Sequence, residues 1–226
     1  MRKSPKTQKA ILRQWEFIYD YNILKKYLIE DENDPESSND FGKNIIPKML
    51  ANHEKMFSWK FEGYWKDVGT VQSLWEANMD LLGDKPAFDI DDRFWRIYSR
   101  TFALAPHYVG KNAKITNSTV TEGCIIDGTV EHSIISSGVS IGSGSVIRDS
   151  VIMPGASVGC NTVIEKCVIG SGAKIGSGAV IGREESEENP YKSAMCTHGI
   201  VLVESGAQVD NNAVIFKGSM VENRNL

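Results

Sequence analysis

Residues 135–181 read ISSGVSIGSGSVIRDSVIMPGASVGCNTVIEKCVIGSGAKIGSGAVI, and their spacing decides the fold. Aliphatic residues fall at Ile135, Ile141, Ile147, Ile152, Val158, Ile164, Ile169, Ile175 and Ile181. The steps run 6, 6, 5, 6, 6, 5, 6, 6, so every third step is short and three steps make one superperiod. An amphipathic helix repeats its apolar face every 3.6 residues and a half-buried strand every two, so neither accounts for this pattern. A coil of three short strands does, because each strand contributes one inward aliphatic and identical coils stack those side chains in columns. The glycines of Ile141-Gly-Ser-Gly-Ser and Ile175-Gly-Ser-Gly-Ala suit corners, where a positive φ excludes most side chains. The spacing therefore predicts a parallel β-helix. It starts near Val109 and resumes with Val203, Val209, Ile215 and Val221, again in steps of six.

Between these runs, residues 183–199 break the repeat with Glu184, Glu185, Glu187, Glu188, Pro190 and His198, and are expected to form a solvated excursion between coils. The stretch 1–85 carries a different pattern. Ile23, Leu24, Tyr27 and Leu28 predict an amphipathic helix over 22–30, followed by a polar loop over 31–39. Residues 40–50 predict a short helix or turn leading to a strand. Phe57-Ser-Trp-Lys-Phe-Glu-Gly-Tyr-Trp alternates aromatic and polar residues, which predicts that strand. Val71, Leu74, Trp75, Met79 and Leu82 then form a helical stripe, with Thr70 a natural N-cap. Residues 86–107 read as a connector.

Composition narrows the classes of function. With 25 basic and 29 acidic residues the net charge is −4, which argues against nucleic-acid binding. No apolar run approaches the roughly 18 residues of a membrane span and no secretory signal follows Met1, so a cytoplasmic protein is expected. Cys124, Cys160, Cys167 and Cys196 form no C-x-x-C pair and are expected to be reduced and mostly buried.

The candidate for chemistry is Gly63-Tyr-Trp-Lys-Asp-Val-Gly-Thr, on the turn before the second predicted helix. Mg²⁺ takes hard oxygen ligands, usually one or two carboxylates with substrate phosphates, and Asp67 supplies one such carboxylate. On its own the string also fits a helix-capping acid. Tyr64 and Trp65 fit either a ligand wall or packed strand-end aromatics.

The wider wording resembles bacterial glucose-1-phosphate adenylyltransferase, the ADP-glucose pyrophosphorylase family. The likeness is carried by Gly63–Thr70, by Leu74-Trp-Glu-Ala-Asn-Met-Asp-Leu-Leu and by Ser38-Asn-Asp-Phe-Gly-Lys-Asn-Ile-Ile-Pro. Asp92-Arg-Phe-Trp-Arg-Ile-Tyr-Ser-Arg and Asp149-Ser-Val-Ile-Met-Pro-Gly-Ala add to it. The resemblance covers residue 19 to the end. It implies the C-terminal remnant of a Rossmann-like α/β nucleotidyltransferase domain over 19–85, a connector over 86–107 and a left-handed parallel β-helix of hexapeptide repeats over 108–226. It implies transfer of adenylate from ATP to glucose 1-phosphate, releasing pyrophosphate and making ADP-glucose for glycogen. By the same resemblance Asp67 holds Mg²⁺, Tyr64 and Trp65 shape the sugar side, and the β-helix supports a homo- or hetero-oligomer, a tetramer in the family.

The family's Gly-rich nucleotide loop, its first metal aspartate and its Glu-Lys pair for the sugar phosphate find no match, so this chain alone is expected to be inactive. Residues 1–18 are expected to be an out-of-frame start. Back-translating a family-like Asn-Phe-Thr-Ser-Met-Gly-Ile-Tyr and shifting the frame by one base gives Ile11–Ile18 residue for residue. Two other readings stand beside this one. One is a non-catalytic scaffold or regulatory subunit. The other is a hexapeptide-repeat acyltransferase using His132 or His198 as base.

Overall fold

The computed structural model describes residues 18–59, 61–90, 92–94, 96–98, 103–184 and 186–223, so the expected aberrant start lies, apart from Ile18, outside the described residues. The chain divides into two compact units, Met1–Gly63 and Tyr64–Leu226. No helix among the described residues is long and apolar enough to cross a membrane.

In the first unit, helix α1 spans Tyr21–Glu32, and the Asp20 side chain caps it by accepting the amides of Asn22 and Ile23. A π-helical turn, Phe41–Ile45, is capped by Asp40 and runs into α2, Ile46–Ala51. Tyr27, Ile45 and Met49 form a small buried core with Tyr19 packed against it. The Tyr27 hydroxyl donates to Glu54 at 2.9 Å and accepts from Asn52 at 2.9 Å. The strand predicted over 57–65 does not form among the described residues, and Phe57, Trp59 and Phe61 stand exposed. A single strand is unstable without a ladder partner. Every strand described here lies between Tyr108 and Val221 and pairs within the β-helix.

That β-helix dominates the second unit. Eighteen short strands among the described residues build three parallel sheets of six, one per face of a triangular coil. Ile141 pairs with Val158 and Val158 with Ile175, so each rung sits one superperiod from the next, as the sequence pattern requires. The inward column is fully packed, with Ile135, Ile147, Ile152, Ile164, Ile169 and Ile181 all buried. Each such side chain stabilises the stack by about 2 kcal/mol through burial alone.

Corner chemistry sets the coil's shape. One corner column consists of Gly144, Asn161, Gly178 and Asn212, at φ of 73°, 55°, 73° and 57°. Gly and Asn are the residues that tolerate this left-handed backbone best. The next corner carries Asn117, His132, Asp149 and Lys166 at φ of 44° to 53°. Immediately after it runs a ladder of serine hydroxyls, half-buried at Ser118 and buried at Ser133 and Ser150. Ser118 Oγ accepts the Ser133 amide, Ser133 Oγ that of Ser150, and Ser150 Oγ that of Cys167, at 3.0 to 3.1 Å. These bonds satisfy corner amides that would otherwise be orphaned.

Residues 183–199 leave the coil at a corner. Val163 pairs with Val180, one repeat on, but Val180 pairs with Val214, two repeats on. The acids Glu184, Glu187 and Glu188 are exposed, and Glu185 lies outside the described residues. The segment is nonetheless more than a solvated excursion. Asn189 and Cys196 are buried. Asn189 Nδ2 donates to Ser219 Oγ at 2.9 Å, Ser193 N–H to the Gly218 carbonyl at 3.0 Å, and Met220 N–H to the Tyr191 carbonyl at 2.8 Å. The excursion folds back on the last coil because its polar backbone finds partners there.

Helix α3, Val71–Met79, starts at Thr70 with the expected cap, completed by Ser73 into a reciprocal capping box. Val71, Trp75 and Met79, with Leu81 and Leu82 beyond its end, pack on the outward aliphatics of the third face, Ile134, Val151 and Val168, and on Ile200, just before that face's next strand.

Candidate functional site

The Tyr64–Thr70 segment is irregular, bends at Gly69–Thr70 and leads into α3. Along it, side chains alternate: Tyr64 and Lys66 are half-buried, Trp65 and Asp67 exposed. The first pair bonds to the C-terminal part of α3 and its cap, while the second stays in solvent. The inward pair is gripped. Lys66 Nζ lies 2.8 Å from Asp80 Oδ2 and 3.2 Å from Glu76 Oε2, and the Tyr64 hydroxyl donates to the same Asp80 oxygen at 2.9 Å. The Tyr64 ring stacks on Phe88, with centroids 5.6 Å apart.

The electrostatics follow. Burial works against the Lys66 ammonium, but its bonds to Asp80 and Glu76 outweigh that and hold its pKa above the ordinary lysine value. The Lys66 bond is the main cause holding the Asp80 carboxyl below its usual range. Glu76 is lowered too, first by the Gln72 amide at 2.8 Å and then by Lys66. Burial, then the bond to Asp80, pushes the Tyr64 phenol up.

Asp67 lies on the exposed side. Its Oδ1 accepts the Gly69 amide at 2.9 Å, which leaves Oδ2 without a protein donor among the described residues. One exposed hard oxygen fits a partial Mg²⁺ site, in which phosphates and water complete the shell. No cluster of three or more metal-binding side chains occurs among the described residues. Trp65, 51% exposed, shares the outward side with Asp67. Tyr64, expected with Trp65 on a sugar-facing wall, is half-buried and donates its hydroxyl to Asp80 at the end of α3.

Helix α3 is itself anchored. The Trp75 indole N–H donates to the Asp149 carbonyl at 2.7 Å, and Lys166 lies over the indole, 5.6 Å from the ring centroid. Thr197 Oγ1 adds a bond to Gln72 at 3.2 Å. His132 Nδ1 sits 2.6 Å from Asp149 Oδ1 at this corner, while His198 is exposed on the excursion. The cysteines are unpaired, three buried and Cys160 exposed.

The sequence reading missed Lys66, Glu76 and Asp80. A signal was there: Glu76 and Asp80 stand four apart on one helical face, which suits a shared cation.

Comparison with known proteins bears on this arrangement. A nucleotidyl transferase family model matches residues 4–84, and a model described as GlmU-like, C-terminal hexapeptide matches residues 104–203. A glucose-1-phosphate adenylyltransferase of Clostridium beijerinckii is 53% identical over 147 residues, 65% of this chain and 38% of the relative. That of Fusobacterium nucleatum is 50% identical over the same shares. That of Desulforamulus reducens is 53% identical over 133 residues, 59% of this chain and 33% of the relative. The chain thus spans well under half the length of the curated relatives it matches. Both parts are matched in order, and where they align the chain is similar to these glucose-1-phosphate adenylyltransferases at half or more of its positions.

Proposed function

We propose that this chain carries part of the active site of a glucose-1-phosphate adenylyltransferase, the part that presents Asp67 to the phosphates. In the reaction a phosphate oxygen of glucose 1-phosphate attacks the α-phosphorus of ATP. A new P–O bond forms, the bond to the bridging oxygen breaks, and pyrophosphate leaves with ADP-glucose as the other product. Catalysis of this kind rests on positioning and charge neutralisation. Mg²⁺, when bound, would offset the phosphate charge. This chain's contribution is to hold the Asp67 carboxylate outward on a rigid base, with Trp65 beside it on the sugar side.

The observation that carries the reading is the outward presentation of Asp67 within a Tyr64–Thr70 segment pinned to α3, in a sequence at least half identical to enzymes of that name over the aligned stretch. We infer a cytoplasmic enzyme of glycogen synthesis that works as an oligomer, a tetramer by family likeness. The 226-residue chain by itself should release no pyrophosphate, because one carboxylate does not cradle a nucleotide.

A chimera tests this. Residues 19–226 are placed behind the preceding part of the Clostridium beijerinckii relative, and pyrophosphate is measured with ATP, glucose 1-phosphate and Mg²⁺. The chimera should be active, and D67N should reduce its turnover by roughly a hundredfold or more, the scale of losing a transition-state electrostatic contact. A fully active D67N chimera would overturn the assignment.

A further inference from the structure

Asp67 is useful to a metal only if its direction is fixed, yet among the described residues Asp67 bonds to its own turn alone, through the Gly69 amide. What fixes it must act on its neighbours. The alternating exposure along Tyr64–Asp67 supplies the means: Tyr64 and Lys66 are held against the end of α3, and their neighbours Trp65 and Asp67 are left in solvent. Lys66 is pulled hardest. It meets two carboxylates of α3 and its C-cap at once, Glu76 and Asp80, and both bonds are partly shielded from water. Tyr64 meets the same Asp80 oxygen. From there the path to the β-helix is short. Asp80 caps α3, and α3 is seated on the third face by Val71, Trp75 and Met79 and by the indole bond to Asp149.

We propose that Lys66 is a positioning residue for Asp67: its ammonium, clamped between Glu76 and Asp80, locks the turn to α3 and so references the Asp67 carboxylate to the β-helix. The proposal rests on the reading of Asp67 given above but concerns a different group. Lys66 touches no substrate. Its work is to set the orientation of the residue that follows it, and the β-helix serves as the base plate for that orientation. The lowered carboxyls of Glu76 and Asp80 accord with a clamp that is fully charged at neutral pH.

The test measures position directly, without metal or turnover. Nitroxide labels go on V68C, on the exposed turn, and K174C, on the outward side of the first face, in a C160S background. Pulsed dipolar spectroscopy on the full 226-residue chain then gives the distance distribution between them. The parent should show a narrow distribution. K66M, which keeps the aliphatic stem and removes the charge, should broaden it about twofold or more, as expected when a local segment is released from its anchor. K66R should restore the narrow distribution, which a merely space-filling role for the side chain would not require. D80N severs the clamp from the helix side and should match K66M, so it decides the matter if K66M does not fold. Unchanged widths in folded K66M or D80N overturn the clamp. Because no metal enters the measurement, that result is independent of the D67N chimera: the clamp can fail while Asp67 proves essential, and the reverse.

Discussion

Replacing Trp75 by Phe should loosen α3 while leaving the β-helix intact. The change removes the 2.7 Å indole bond to the Asp149 carbonyl and weakens the cation–π contact with Lys166. Asp149 lies at a half-exposed corner, so water can replace the lost donor and the bond is worth its net value, about 1 kcal/mol. The cation–π contact at a partly exposed site adds about 0.5 kcal/mol. A total of roughly 1.5 kcal/mol corresponds to about a tenfold change in the local opening equilibrium. Amide hydrogen exchange reads it. The Asp80 amide, bonded to the Glu76 carbonyl at 2.9 Å, should exchange about ten times faster in W75F. The Val163 amide, bonded to Ala179 in the middle of the coil stack, should change by less than about twofold, because coils bury their own aliphatics without help from α3. Equal acceleration at both sites would refute the separation of dock from stack. No acceleration at Asp80 would refute the dock itself.

Ser150→Ala should cost about 1–3 kcal/mol in chemical unfolding, since it strands the buried Cys167 amide and breaks the hydroxyl ladder; a loss below about 0.5 kcal/mol would show that the ladder is dispensable. Maleimide at neutral pH should label one thiol per native chain, at Cys160, and none in C160S, because the other three are buried and burial raises their thiol pKa values; two or more labels on the native chain would contradict the packing. The Lys66 clamp should respond to pH at both extremes. Asp80, ordinarily at 3.8, is lowered in the fold, so its contribution is present above that value and lost as pH falls through the lowered one. Lys66, ordinarily at 10.5, is raised, so its contribution holds below that value and is lost as pH rises through the raised one. The label distance at residue 68 should therefore stay narrow from about pH 5 to 9 and broaden only beyond; broadening inside that window would contradict the assignment.

The β-helix was legible because one inward aliphatic every six positions leaves few other solutions, and Ile141, Val158 and Ile175 do stack as their spacing requires. Helix α3 was legible too, from its stripe and from Thr70. Its partner was not. The doublets Ile134-Ile135, Val151-Ile152 and Val168-Ile169 announce a face that is apolar on both sides, but Val146-Ile147, Val163-Ile164 and Val180-Ile181 announce the same on the second face. Only the third carries α3, and that choice depends on the bond from Trp75 to a carbonyl at one corner, which sequence does not display. At the candidate site, the Asp67 turn was found from wording and charge type. The clamp beneath it was overlooked because Lys66 reads as one more surface charge until α3 brings Glu76 and Asp80 to it. The strand predicted over 57–65 failed for the opposite reason: local alternation was clear, but a strand is defined by its neighbour.

The excursion at 183–199 has a bearing on how such a solenoid can change. Val180 and Val214 sit side by side although twice the usual length of chain separates them, so a strand's place is dictated by the rung beneath it and not by its distance along the polypeptide. A lateral addition at a vertex costs the prism one local shift, between the Ile181–Ile215 and Arg183–Phe216 pairs, and leaves the inward column in register. New surface, or a grafted peptide of comparable length, can be hosted at that vertex while the stacked aliphatics above and below stay opposite one another.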